Sequence, residues 1–170
     1  MKDILQFNHV CFRASSHRYG DLLDAHFTLA PSEIMMIHLE TEFPACSLPD
    51  LAQGLIFPDS GSVLFMGESW NEMSPWHQGL RRAEMGRVFG AGGWISNLTM
   101  RENVILRRRH YAVKKETDLL REAEDLAIMA GLSGLTSARP ENVIQSELQR
   151  AAWVRAFMGR PRLVLLDNPE

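Results

Sequence analysis

The chain has little cysteine, no long apolar run and no excess of positive charge, and each shortage excludes a class of protein. Its two cysteines, Cys11 and Cys46, stand far apart, with no CxxC and no His/Cys ligand spacing. That argues against a zinc site and a disulfide framework and points to a reducing compartment. No stretch of about 18 apolar residues occurs, and the N-terminal Met-Lys-Asp-Ile-Leu-Gln-Phe-Asn lacks the apolar region of a signal peptide. The expectation is a cytoplasmic protein that neither leaves the cell nor spans a membrane by itself. A formal net charge of -3 offers phosphate backbones no general attraction, so no nucleic-acid partner is expected. Repeats, low-complexity segments and linkers are also missing. What remains, 170 residues at 45% hydrophobic and 23% charged, is the composition of one globular domain and excludes disorder, collagen and coiled coil.

The apolar pattern predicts alternating strands and helices. Ile4–Phe12 and Leu22–Leu29 read as a hairpin across the polar turn 15–20. Ile34-Met35-Met36-Ile37 and Leu163-Val164-Leu165-Leu166 are continuous apolar runs of the kind buried on both faces of a parallel sheet. Further strands are expected at 62–66 and 87–89, and short helices at 47–55 and 75–82. Thr99-Met100-Arg101-Glu102 and Ser146-Glu147-Leu148-Gln149 have capping-box spacing, which predicts a helix start at each. Between them Leu119, Leu120, Ala123, Leu126, Ala127, Met129 and Ala130 form one helical face, stopped by Gly131. The fold class is therefore α/β with a mostly parallel core sheet, and ligands should sit at the carboxyl ends of its strands.

The segments around those strand ends resemble the nucleotide-binding domain of ATP-binding cassette (ABC) transporters, over nearly the whole chain. Tyr19-Gly20-Asp21 is similar to the aromatic loop that stacks adenine, and Ser32-Glu33-Ile34 to the entry into the first core strand. The run from Gly54 to Gly61 is similar to the segment after the family's first helix. Val88-Phe89, followed by Ile95 to Val104, resembles the Q-loop region. Gln149-Arg150-Ala151-Ala152 and the stretch Pro161 to Pro169 resemble the signature helix and Walker B. The resemblance implies an ABC-type P-loop NTPase-like domain with an antiparallel β subdomain. Residues 1–90 and 160–170 would supply core and β subdomain, and 91–159 a helical subdomain. The D-loop, later core strands and switch histidine would follow Walker B. Either the C-terminal part of the family fold is absent, or these 170 residues are part of a longer chain.

The positions that carry the family's chemistry are replaced. A P-loop, GxxxxGK[ST], wraps phosphates in backbone N–H groups, neutralises them with lysine and places a hydroxyl on Mg²⁺. Here the same length of chain reads Leu39-Glu40-Thr41-Glu42-Phe43-Pro44-Ala45-Cys46-Ser47. Leu39 and Pro44 stand for glycines, Ala45 for lysine and Cys46 for the first hydroxyl, while Glu40 and Glu42 add like charge where an anion would enter. At about 4 Å and an effective dielectric near 20, a like-charge pair costs about 4 kcal/mol, against about 8 kcal/mol for micromolar affinity. A solvated acidic loop on an unrelated α/β domain is the bland alternative, and on either reading no P-loop-type ATP binding is expected.

The resemblance aligns Gly90 with the Q-loop glutamine, Asn168 with the catalytic glutamate, and Val143-Ile144-Gln145-Ser146 with the Leu-Ser-Gly-Gly signature. Asn168 cannot act as a general base, and Ser146 reads as a helix N-cap. Asp167 matches the Walker B aspartate. It is a metal ligand only if Mg-nucleotide is bound, and otherwise a strand-end carboxylate. Tyr19 is the other ligand-type residue retained. The implied function is a pseudo-ATPase that serves a transport complex without a nucleotide cofactor. Its partner would be an ABC membrane subunit or a second ATPase domain, in a homo- or heterodimer, at the inner face of the membrane. The alternatives are an atypical Mg-ATP-binding subunit and a stand-alone interaction module. Arg107-Arg108-Arg109-His110 with Lys114 and Lys115 reads either as a solvated helix end or as a docking patch. Of the four tryptophans, Trp94 alone is expected to be an exposed contact, and the histidines are structural or surface residues.

Overall fold

A computed structural model describes residues 3–14, 20–38, 48–90, 93–111 and 114–167. Its contacts divide the chain into two units, Met1–Arg82 and Ala83–Glu170.

In the first unit, β1 (Leu5–Phe12) and β2 (Leu22–Leu29) form the expected hairpin. β3 (Ser60–Phe65) and β4 (Glu68–Ser69) extend it into an antiparallel sheet of order β2-β1-β3-β4. Alternate side chains of β1 and β3 point inward: Leu5, Phe7, Val63 and Phe65 are buried. Trp70 closes this core, 2% exposed, with its Nε1 donating to the carbonyl of Ala52 at the end of α1 (Leu48–Ala52). Arg82, near the end of α2 (Pro75–Ala83), donates to the carbonyls of Gln53 and Gly54 and lies over the Trp70 ring. Its apolar stem and charged head thus fasten the helix to the loop after α1.

The run 34–37 is not a strand. It lies in irregular chain, with Ile34 99% and Met36 94% exposed. An all-apolar run becomes a strand only where neighbours supply ladder bonds and both faces are covered. Among the described residues no strand pairs with 34–37.

The second unit holds one parallel pair, β5 (Met85–Val88) and β6 (Leu163–Leu166), in the register Met85↔Leu163 to Val88↔Leu166. Among the described residues this pair is the whole of the parallel sheet. α5 (Gln145–Phe157) crosses β5 so closely that a side chain at Gly86 would strike the Ala156 carbonyl. α3 (Met100–Tyr111), α4 (Glu116–Met129) and α5 share a core of Val104, Ile105, Leu119, Ala123, Ala127 and Val154.

Leu119, Ala123 and Ala127 are four residues apart and share one face, whereas Met129 falls on the opposite side and is 83% exposed. The expected seven-residue face therefore loses Met129. Gly131, at φ +78°, ends α4: its N–H bonds to Ile128 and that of Leu132 to Ala127, the paired closure that a left-handed residue permits.

At the start of α3 the capping box forms as expected. Thr99 N–H donates to Glu102 Oε2 at 2.8 Å, and Glu102 N–H returns a bond to Thr99 Oγ1. The second box does not form. Ile144 is the N-cap of α5 and makes no side-chain cap bond, so Ser146 lies inside the first turn and is exposed. Val143 and Leu148 both pack on the helical core with the N′/N4 spacing of a hydrophobic staple, and their burial outweighs the Ser-x-x-Gln pattern.

Candidate functional site

Tyr19, the loop from Leu39 to Ser47, and Asn168 lie outside the described residues. The structure places the remaining candidates, Gly90, Val143 to Ser146 and Asp167, all in the second unit.

Asp167 follows the last residue of β6, and its N–H continues the ladder by donating to the Val88 carbonyl at 3.0 Å. Its Oδ2 accepts a charge-assisted hydrogen bond from Arg87 Nη2 at 3.2 Å. Arg87 is the one charged residue within β5 and β6, and its side chain is only 9% exposed against 30% for Asp167. The guanidinium also lies over the Phe89 ring, 4.6 Å from its centroid. A magnesium ion does not fit this carboxylate as it stands. At about 5 Å and an effective dielectric near 20, a divalent ion and a guanidinium repel by about 7 kcal/mol. Among the described residues no group of three His, Cys, Asp or Glu side chains could hold a metal.

Gly90 is exposed just past β5. Beyond it Arg155 of α5 donates to the Gly93 carbonyl, lies 4.2 Å from the Trp94 ring centroid and also covers Phe89. Burial, and secondarily the charge of Arg107, pulls the Arg155 guanidinium down to about 10, so it remains a cation at neutral pH. Trp94 is accordingly half-buried between Arg155 and the helical core rather than an exposed contact. Asn103, 4% exposed, fixes the next stretch: its Oδ1 accepts from the N–H of Ile95, and its Nδ2 donates to the carbonyls of Ile95, Leu98 and Thr99.

Of the quartet before α5, Val143 packs on the helical core, Ile144 is 64% exposed, and Gln145 and Ser146 are exposed in the first turn. Arg107 and Arg108 of the basic run are held by the fold, while Arg109, His110, Lys114 and Lys115 are exposed. Arg107 donates to the Met158 carbonyl, and burial lowers its pKa. Arg108 packs against Gly159, while Arg109 and Lys114 pair with Glu116 and Glu122. Trp76, expected to pack, is 76% exposed.

The ABC transporter family model matches residues 24–170. This chain belongs to the ABC transporter ATP-binding family. A protein of Staphylococcus haemolyticus (strain JCSC1435) with the provisional name hemin import ATP-binding protein HrtA is 27% identical over 167 residues, 97% of this chain and 75% of that relative. ABC ATP-binding domains work with membrane subunits and dimerise. In the described part of this ABC chain, no helix is long and apolar enough to cross a membrane.

Asp167 and Arg87 lie at the carboxyl ends of the paired strands β6 and β5. Sequence reasoning missed Arg87, Arg155 and Asn103. A signal was present for Arg87, since a charged residue inside an apolar strand needs a partner, and the carboxylate after the other apolar strand is the obvious one. Arg155 and Asn103 sit in patterns that read equally well as solvated helix residues.

Proposed function

We propose that this ABC-family chain is a degenerate ATP-binding subunit, a pseudo-ATPase that serves a transport complex as a structural or regulatory component. The observation that carries the reading is the joint replacement of the phosphate-binding groups: Ala45 for lysine, Leu39 and Pro44 for glycines, with Glu40 and Glu42 beside them. The signature position supports it. The N-terminus of α5 carries Ile144 at its cap and the side chains of Gln145 and Ser146 in its first turn. Glycines there would let a phosphate approach the free N–H groups, and these side chains obstruct it.

In this reading residues 1–90 and 160–170 form the core and β subdomain and 91–159 the helical subdomain. No nucleotide cofactor is needed, and Gly90 and Asn168 supply neither metal contact nor base. Each composite site of an ABC dimer joins one subunit's P-loop to the other's signature. A homodimer, or a heterodimer with an active partner, would then have no intact site. The chain would work by occupying the ATPase position on a membrane subunit, at the inner face of the membrane.

A second reading, an atypical Mg-ATP-binding subunit, is favoured by the relative's name, which includes ATP binding, and by the retained Asp167 and Tyr19. Two experiments separate the readings. Photolabelling with azido-ATP should leave the protein unlabelled, and competable labelling would favour the second. Affinity purification from native membranes should bring down a membrane subunit, and its consistent absence would point to a stand-alone interaction module.

A further inference from the structure

We infer that the Arg87 guanidinium takes the place of a divalent cation at the Asp167 carboxylate, so that the Walker B position is neutralised from within the chain and takes up no metal. The inference rests on the pseudo-ATPase reading and adds what occupies the metal's place.

Strand register brings the two groups together. Arg87 is paired with Leu165 in the parallel ladder, and Asp167 lies two residues further along, on the same face. Phe89, two residues beyond Arg87 on β5's path, falls on that face as well. The cation therefore meets a carboxylate oxygen at 3.2 Å and an aromatic face at 4.6 Å. Both partners favour positive charge, which compensates the cost of holding an arginine side chain only 9% exposed between apolar strands. A metal arriving at Asp167 would have to displace this arginine. Displacement would separate a guanidinium only 9% exposed from the carboxylate it bonds. A hydrated magnesium ion gives up water reluctantly, so the tethered cation wins.

The test uses the full chain without nucleotide, with Mn²⁺ as probe, following free Mn²⁺ by electron paramagnetic resonance and unfolding by thermal shift. Wild type and Asp167→Asn should show the same Mn²⁺ uptake up to millimolar concentration. Arg87→Met should lower Tm by about 5 °C and gain Mn²⁺ uptake that Arg87→Met/Asp167→Asn loses again. Arg87→Lys, which keeps the charge, should behave as wild type towards Mn²⁺. Wild-type uptake abolished by Asp167→Asn would overturn the inference, as would an Arg87→Met protein with unchanged Tm and no gained site. If Arg87→Met does not fold, Arg87→Gln is read in the same way, with gained Mn²⁺ uptake expected and its absence overturning the inference. Because no nucleotide is present, a failure here leaves the pseudo-ATPase reading standing, whereas ATP binding would defeat that reading whatever Mn²⁺ does.

Discussion

Arg87 Nη2 and Asp167 Oδ2, 3.2 Å apart, join the carboxyl ends of β5 and β6 by an ion pair whose arginine is nearly buried. Removing either partner leaves a desolvated charge. Arg87→Met and Asp167→Asn are each expected to cost about 2 kcal/mol, and the double variant less than their sum. A urea-denaturation cycle measures the coupling; strict additivity would show that the pair contributes nothing.

Gly86 sets how closely α5 approaches β5. In Gly86→Ala the new methyl meets the Ala156 carbonyl, backbone that cannot swing aside. A loss of about 2 kcal/mol is expected, read as a lower urea midpoint with unchanged slope. A neutral outcome would mean that helix and strand separate easily.

The Thr99–Glu102 box nucleates α3, which carries Val104 and Ile105 into the helical core. Thr99→Ala should cost about 1 kcal/mol. Ser146→Ala, at a similar-looking motif where no cap bond forms, should be near neutral. Equal losses at both would contradict the assigned start of α5.

The Glu122 pKa reflects burial, which opposes ionisation, outweighed by the Gly159 N–H bond and Lys114, so it lies below its ordinary value of 4.5. Since the folded value is the lower one, ionised Glu122 stabilises the fold above about pH 4.5 and the contribution disappears as pH falls through the folded value. Glu122→Gln should cost about 1 kcal/mol at neutral pH and flatten the decline of stability as pH falls below about 4.5. An unchanged acid limb would remove Glu122 from the account.

The local signals that were legible in the sequence are those with a single physical solution. The apolar segments 5–12 and 22–29, separated in sequence by a polar stretch, pair as a hairpin, and Thr99-x-x-Glu102 caps the helix that follows it. Signals that depend on distant partners were not legible. The run 34–37 describes a segment that requires neighbours, and the sequence does not say whether they are present. Ser146 lost the cap because Val143 and Leu148 reached the core, a decision made by packing. For the site, the positions proposed to be replaced could be read one by one, but the pairing of Arg87 with Asp167 emerges only when two strands 80 residues apart are in register.

Restoring one element of the phosphate loop should not restore its function. Ala45→Lys retains Leu39, Pro44, Glu40 and Glu42, so it should bind Mg-ATP no better than wild type in equilibrium dialysis. Tight binding by this single variant would contradict the account of the loop.

The central claim is tested most directly by calorimetric titration of the wild-type chain with Mg-ATP, with thermal unfolding followed in parallel. A bound nucleotide stabilises a fold by RT ln(1 + [L]/Kd), so at millimolar nucleotide a site with Kd of about 10 μM would add about 2.7 kcal/mol and visibly raise Tm. The account predicts no saturable heat and no shift in Tm. Saturable micromolar binding with a matching rise in Tm would contradict it and return the chain to the nucleotide-binding members of its family.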